Sequence, residues 1–413
     1  MIFNKLARYG LILLIIIISA VELPFFYHKI VHKPAIGPRF YFSPITKNFM
    51  IMKHDKGGMG FYDDHWKSLT RREFEKYLPF QFYRDLSKWG ELPDSIDGFA
   101  IDASVIHHNS DYYRIMGKDF DFPTIDLYPL FESQSDFAQL QFPGEFFRIK
   151  DKIDFITASS NEINQEMSEK FNAALIEAGF TFPAKLIAGL PTTKKPFDEG
   201  YFILDSQNDV FHMKKVKGEP SIVKTNIPRD LNIVKIVIQE SVQQKIYGFI
   251  ITANHDLFMI SYDHYRLLPV KLEDYNAQKM DLSIAVDPFY VNFSYDDNTR
   301  FFSTICDSNY IKINQTSMSL QPLEEKLSEK VKYALFPFSI ATYNSFSSMK
   351  KFDLKFHSSL SIIGIILSLI IGFMVKIKRR EDLKSNWFDF VIISFTGIYG
   401  LLGIILIKTD LWK

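Results

Sequence analysis

Two apolar stretches near the C-terminus, Phe356–Val375 and Trp387–Ile407, flank the segment KIKRREDLKSN, and no other feature constrains the chain as strongly. Each stretch approaches the roughly 20 apolar residues that a helix needs to cross the hydrocarbon core of a bilayer. A short loop carrying Lys376, Lys378, Arg379, Arg380 and Lys384 belongs on the cytoplasmic side, because basic residues in short loops hold them there. The pattern predicts a transmembrane hairpin: helices over 356–375 and 387–407 joined by a cytoplasmic loop over 376–386. A third apolar run, Tyr9–Leu23, follows Lys5 and Arg8 and precedes the aromatic collar Phe25-Phe26-Tyr27. Residues 1–27 therefore read as an N-terminal transmembrane anchor, with the N-terminus cytoplasmic. A cleaved signal peptide is the rival reading, since Ser19-Ala20 supplies small residues, although Ile18 and Glu22 make the cleavage site imperfect. Either way, residues 28–350 are expected on the periplasmic side of the inner membrane, with the tail after residue 407 on that side too.

Within the last stretch Gly397, Gly400 and Gly403 recur at every third position, a spacing that lets another backbone come close. The face fits either a partner's helix or the protein's own second membrane helix, and the second is the expected contact. No Asp, Glu, Lys, Arg or His lies deep inside any of the three spans, which argues against an ion pathway through them.

The long middle segment reads as mainly β. Phe and Tyr number 40 and 20, an aromatic load that suits strands with buried faces. Lys+Arg and Asp+Glu both number 48, so no net charge drives nucleic-acid binding. Cys306 stands alone, so no intramolecular disulfide staples the domain. A helical insertion is expected near 68–90, where Thr70 and Glu73 form a capping box, Phe74, Tyr77 and Leu78 make an apolar stripe, and Pro79 interrupts. A second helix is expected over Glu169–Ala178, stopped by Gly179.

Elsewhere the pattern is strand, polar turn, strand. Asp154–Asn164, Tyr201–Met213, Tyr247–Ile260 and Arg300–Ile313 look alike, and their turn residues Asn161, Asn208, Asn254 and Asn309 fall 47, 46 and 55 residues apart. Arg39–Lys53 resembles a fifth copy. Such spacing, with several strands per unit, is that of propeller blades. A hairpin-rich sandwich without radial symmetry is the alternative. The expected fold is thus a membrane-anchored, mainly β protein, propeller-like or hairpin-rich, with a few short helices and three transmembrane α-helices.

Local enzyme signatures are missing: the chain has no phosphate loop, no Gly-x-Ser-x-Gly elbow, no His-Glu-x-x-His and no Cys-x-x-Cys. The best metal-like stretch is NFMIMKHDKGGMGFYDDH. There Met50, Met52 and His54 share a strand face and His65 lies nearby, a set suited to a thioether and imidazole copper site. Methionines buried by a strand, followed by a Gly-Gly turn, explain the same residues, and this is the expectation. His107-His108 read as surface residues near a turn, on a strand whose adjacent side chains diverge. Asn254-His255-Asp256 reads as a hairpin turn. Lys194-Lys195 and Lys214-Lys215-Lys217 read as solvated loop residues, or as a basic patch for a phosphate or an acidic partner if the fold gathers them.

Three stretches carry a resemblance: GFTFPAKLIAGLPTTKKPFDEGYFILDSQNDVFHMKKVKGEP at Gly179–Pro220, LYPLFES at Leu127–Ser133, and the LTRREFEKYLP helix. With the anchors, they make the chain similar to an uncharacterised family of Bacteroidetes envelope proteins with a domain of unknown function. The resemblance implies companionship with ATP-binding-cassette (ABC) permease and ATPase subunits. It transfers no activity, cofactor or catalytic residue. The expected function is a non-catalytic accessory or binding subunit of an inner-membrane complex, without a cofactor. An envelope sensor or scaffold independent of a transporter, and a periplasmic metal-handling protein or hydrolase, are the alternatives.

Overall fold

The structure, a computed structural model, describes residues 2–31, 37–55, 58–120, 125–297, 299–320, 327–341 and 353–409. Two compact units divide the chain: residues 37–318 form one, and the two ends, 1–36 and 319–413, form the other. The expected boundary at residue 350 lies outside the described residues. The N-terminal helix α1 (Ile2–Val31) belongs to the second unit.

The first unit is built of antiparallel meanders. Strands β1 (Arg39–Phe42), β2 (Phe49–Asp55), β3 (Gly58–Tyr62) and β4 (Ser68–Leu69) pair in chain order. Helices α2 (Arg71–Lys76) and α3 (Tyr83–Trp89), the hairpin β5 (Ser95–Ile96) and β6 (Phe99–Ala100), and helix α4 (Ala103–His108) come next, followed by β7 (Asp111–Ile115). The second sheet runs β8 (Tyr128–Pro129), β9 (Glu145–Ile149), β10 (Ile153–Thr157), β11 (Glu162–Ile163), and is followed by α5 (Gln165–Glu177). The third comprises β12 (Leu186–Gly189), β13 (Tyr201–Leu204), β14 (Val210–Val216) and β15 (Glu219–Lys224). The fourth comprises β16 (Ile233–Ile238), β17 (Ile246–Thr252), β18 (Leu257–Ser261) and β19 (Leu267–Val270). In the fifth, β20 (Leu282–Val286), β21 (Tyr290–Asp296), β22 (Arg300–Asp307) and β23 (Lys312–Ser319) are joined by β7, which pairs with β20.

The sheets share apolar clusters in series. Phe147, Phe155 and Phe211 join the second to the third, and Phe202, Ile236 and Ile250 the third to the fourth. Phe249, Met259 and Phe293 join the fourth to the fifth, and Phe40, Phe42 and Ile305 the fifth to the first. Among the described residues no apolar cluster joins the first sheet to the second, so no closed propeller forms. The look-alike hairpins explain why the spacing misleads. Asn208 and Asn254 turn between the second and third strands of their sheets, Asn161 between the third and fourth, and the Arg39–Lys53 copy between the first and second. What repeats is turn chemistry, and not a blade. Asp205 and Asp307 each accept two turn N–H groups on Oδ1, while Asn161 and Asn208 adopt φ of 56° and 65°.

Both expected helices exist. The capping box forms, with Glu73 N–H donating to Thr70 and Thr70 N–H to Glu73 Oε2 at 2.8 Å, and α3 stops at Gly90 in the left-handed region. Helix α5 begins at Gln165, earlier than expected, because Asn164 Oδ1 accepts the Met167 N–H at 3.1 Å. His107 and His108 lie on α4, capped by Asp102, and not on a strand.

The second unit revises the membrane reading. Helix α1 has 30 residues and continues through Pro24 to Val31, beyond the expected end at residue 27. The next apolar helix, which follows α6 (Leu327–Leu335) and the hairpin β24 (Phe338–Ala341) and β25 (Asp353–Phe356), is α7 (Ser361–Lys378). Phe356 is therefore a strand residue. Helices α1 and α7 are long and apolar enough to cross a membrane, whatever their role.

The expected third span is two helices, α8 (Trp387–Thr396) and α9 (Ile398–Leu406), of 10 and 9 residues. At 1.5 Å per residue each is roughly 15 Å long, about half a hydrocarbon core. The chain breaks at Gly397, whose φ of 54° and ψ of −127° suit glycine alone, and the Thr396 hydroxyl bonds back to the Ile392 carbonyl at 2.6 Å. Helix α9 then returns to where α8 began. Arg379 Nη2 donates to the Ile405 carbonyl at 2.9 Å, Lys376 Nζ lies 3.2 Å from Thr409 Oγ1, and Thr409 Oγ1 lies 3.1 Å from Asn386 Oδ1. A network of nearly inaccessible charges binds these ends. Arg8 forks onto Asp389 at 2.9 and 2.8 Å, Lys376 Nζ reaches Asp389 at 2.7 Å and also pairs with Glu381, and Arg8 Nε donates to the Ile407 carbonyl at 3.3 Å.

Candidate functional site

Among the described residues of the β unit, the ion pairs with both partners buried gather where the β12–β13 loop meets the end of β16. Gly200 sets this loop. Its φ is +66°, and a Cβ there would lie 2.1 Å from the Met213 carbonyl oxygen, so no other residue fits between β13 and β14. Gly200→Ala is expected to destabilise the domain by about 2–3 kcal/mol, read as an earlier thermal loss of β circular dichroism.

The loop turns Lys195, Asp198 and Glu199 inward. Lys195 Nζ lies 2.5 Å from Asp198 Oδ1, 2.8 Å from Glu240 Oε2 and 2.9 Å from the Leu190 carbonyl, with side-chain exposures of 2%, 1% and 0% for Lys195, Asp198 and Glu240. Asp198 Oδ2 also accepts from Ser133 Oγ and the Gly200 N–H, both at 3.0 Å, while Glu240 Oε1 accepts the Glu199 N–H at 2.7 Å. Glu199 pairs with Lys214, which is partly exposed and forms the open edge of the cluster. Behind them His212 donates from Nε2 to the Glu199 carbonyl. A carbonyl only accepts, so Nδ1 of the neutral ring accepts the Tyr265 hydroxyl at 3.0 Å. Burial pushes the His212 ring down to about 3, which keeps it neutral.

Three tyrosines close the site. Tyr247 stacks on Tyr262 at 3.8 Å and on Tyr265 at 5.3 Å between ring centroids, and burial raises all three hydroxyls above the usual tyrosine range. Tyr265 and His264 occupy the left-handed positions of the β18–β19 turn, with φ of 56° and 49°. That backbone costs a non-glycine residue about 1 kcal/mol or more, offset here by the hydroxyl bond and the ring stack.

Two ammonium groups, Lys195 and Lys214, thus face three carboxylates, Asp198, Glu199 and Glu240. Burial, reinforced by Asp198 and only partly opposed by Lys195, raises Glu240 to about 7. The folded chain therefore holds this proton more tightly than the unfolded one, whose carboxyl releases it near 4.5. Its contribution to stability is full below about pH 4.5 and declines as the pH rises to about 7. Glu240→Gln is expected to flatten that slope in a pH series of thermal unfolding.

The cluster answers the lysine expectation in an unexpected way. Lys195 is buried instead of solvated, and the fold brings Lys195 and Lys214 together around acids, not as a basic patch. Two of the three stretches that carried the resemblance, Gly179–Pro220 and Leu127–Ser133, meet here, while the LTRREFEKYLP helix packs with Met50 in the first sheet. Tyr201 donates to the Pro129 carbonyl at 2.7 Å, Lys195 lies 4.9 Å from the Phe131 ring, and Glu132 accepts the Lys217 and Gly218 N–H groups. Sequence reasoning passed over Asp198, Glu199, His212, Glu240, Tyr262 and Tyr265. The one local signal was His212, a polar residue amid the first four residues of β14, all of which are buried.

The metal-like stretch stays apolar at its core. Met50 is buried with Phe74 and Leu78, Met52 packs against the same cluster, and His54 is exposed opposite Met59. His65 lies beside Asp63 and Asp64, whose ligand atoms fall within 4.8 Å of its own. Asp63 Oδ1 already accepts the His65 and Lys67 N–H groups at 3.0 and 2.9 Å, the work of a turn residue.

The glycines of the last segment pack within the chain. Gly397 is the helix break, a Cβ on Gly400 would lie 2.3 Å from Thr396 Oγ1, and one on Gly403 would lie 2.9 Å from Ile12 of α1. Both helices are met: a Cβ on Gly397 would lie 3.4 Å from Ile365 of α7, the expected second helix, whereas Gly403 faces α1. No curated protein matches the chain. Residues 39–304, more than half of it, match the family described as a domain of unknown function, DUF4857, and the protein belongs to that family.

Proposed function

We propose that this protein is a non-catalytic accessory subunit of an inner-membrane complex, an ABC transporter system, that presents its β domain on the periplasmic side. The observation that carries the reading is the makeup of the membrane module: both ends of the chain fold into it, and the β domain is the insertion between them. Helix α1 contributes Arg8, Ile12, Ile16 and Ala20 to the module's buried interior, which argues for a retained anchor over a cleaved signal peptide. The outer faces of α1 and α7 leave Leu13, Leu14, Ile17, Ile362, Ile366 and Ile370 exposed, a surface suited to lipid or to a permease helix. In this topology α1 and α7 cross the membrane, α8 and α9 dip in and return, and both termini are cytoplasmic. The resemblance to Bacteroidetes envelope proteins supports the choice of an ABC partner.

The test is affinity purification of the full chain from its native host in mild detergent. Permease and ATPase subunits are expected to co-purify, and to be lost when 361–409 is exchanged for an unrelated membrane segment. Recovery of the protein without any transporter subunit would defeat the reading.

A further inference from the structure

The return of α9 gathers cations that lie far apart in the sequence. Lys5 precedes Arg8 by one helical turn. Lys378, Arg380 and Lys384 flank Lys376 and Asp389, and Lys408 sits between the Ile407 carbonyl held by Arg8 and the Thr409 hydroxyl held by Lys376. All five of these cationic side chains are exposed. Among the described residues the acids of this end are engaged: Asp389 and Glu381 pair with Arg8 and Lys376, and exposed Asp382 accepts the Lys384 and Ser385 N–H groups. Trp387 and Phe388 are exposed beside these cations, the amphipathic residues that settle at the level of lipid head groups. A groove of about 460 Å³ runs along α1, lined by Lys5, Leu6, Tyr9, Gly10 and Leu13. Its lining is almost wholly apolar apart from Lys5, and a Cβ on Gly10 would meet nothing within 4 Å.

We propose that this end of the membrane module is a binding face for anionic phospholipid. Lys378, Arg380, Lys384 and Lys408 neutralise the head groups, while the α1 groove takes an acyl chain with its phosphate at Lys5. A cationic rim above an apolar groove complements a lipid that is anionic at one end and apolar at the other, and clustered Lys and Arg at a membrane surface select such lipids. The proposal rests on the membrane reading above and adds to it the lipid class and the residues that select it.

The experiment reconstitutes the full chain in nanodiscs of phosphatidylcholine and measures enrichment of added phosphatidylglycerol around the protein by native mass spectrometry. Enrichment is expected for the natural chain, and a decrease of roughly tenfold or more in the variant carrying Lys378→Gln, Arg380→Gln, Lys384→Gln and Lys408→Gln. A control with Lys29→Gln and Lys355→Gln, exposed cations at the other end of the module, is expected to match the natural chain. Equal retention of both lipids by the natural chain, equal loss in the control, or displacement of the lipid by inorganic phosphate would overturn the proposal. Separately, a C-terminal epitope tag is expected to be protected in intact spheroplasts. Exposure of the tag would instead overturn the two-crossing topology, and with it the place of Lys408 on this face.

Discussion

Asp389→Ala is expected to unravel the membrane module more than any other single change in it. Asp389 is the acid that Arg8 and Lys376 share, at 2.8 and 2.7 Å, with side-chain exposures of 1% for Asp389, 3% for Arg8 and 2% for Lys376. Its removal leaves two like charges enclosed together, with Glu381 the one remaining acid beside them among the described residues. Breaking one partner of a buried pair costs about 3–5 kcal/mol, because the remaining charge cannot recover its hydration. The loss is also structural: Arg8 on α1, Lys376 on α7 and Asp389 on α8 are the points at which three helices and the returning end of α9 are tied. The measurement is the thermal unfolding midpoint of the full chain in detergent, with protease access to the C-terminus as a second readout. Arg8→Met combined with Asp389→Leu is expected to cost less than the sum of the single changes, since it leaves Lys376 paired with Glu381. An unchanged midpoint for Asp389→Ala would show that the network does not hold the module.

Lys195→Met is expected to have a comparable effect in the β domain. Among the described residues the ammonium is the one cation between Asp198 and Glu240, and without it two carboxylates face each other in a space closed to water. A cost of about 3–5 kcal/mol is expected, lowered where Glu240 takes up a proton. The defect should therefore be smaller near pH 5 than near pH 8. Adding Glu240→Gln should recover part of it, because one buried charge is then removed. These outcomes are read from thermal unfolding across pH, and a pH-independent defect would mean that packing against Phe131, not charge, is what Lys195 supplies.

Periodicity and capping were legible wherever the deciding contacts are local. Thr70 and Glu73 announce α2, Gly90 and Gly179 end their helices, and Asn161 and Asn208 mark turns, since each acts on groups only a few residues away. The candidate site was not legible. Lys195 reads as a loop lysine until Glu240, 45 residues on, is placed beside it. The hairpins around Asn161, Asn208, Asn254 and Asn309 look equivalent because turn chemistry is the same in any meander, whereas their place within a sheet depends on which neighbours they pair with.

Local pattern is enough to place apolar helices flanked by basic residues at both ends of this chain, a mainly antiparallel β segment between them, and many of its turns. These follow from composition and short-range spacing, which act through the hydrophobic effect and the backbone. It takes the folded chain to turn the stretch after Trp387 back at Gly397 and to bring Arg8 and Asp389 together across 381 residues. The fold alone decided that the sheets stop short of a ring. The physical reason is common to all three. A glycine in a helix can continue or break it, a charge can be solvated or paired, and a sheet face can meet one neighbour or another, and in each case the choice is made by groups that are distant in the chain and adjacent only in space.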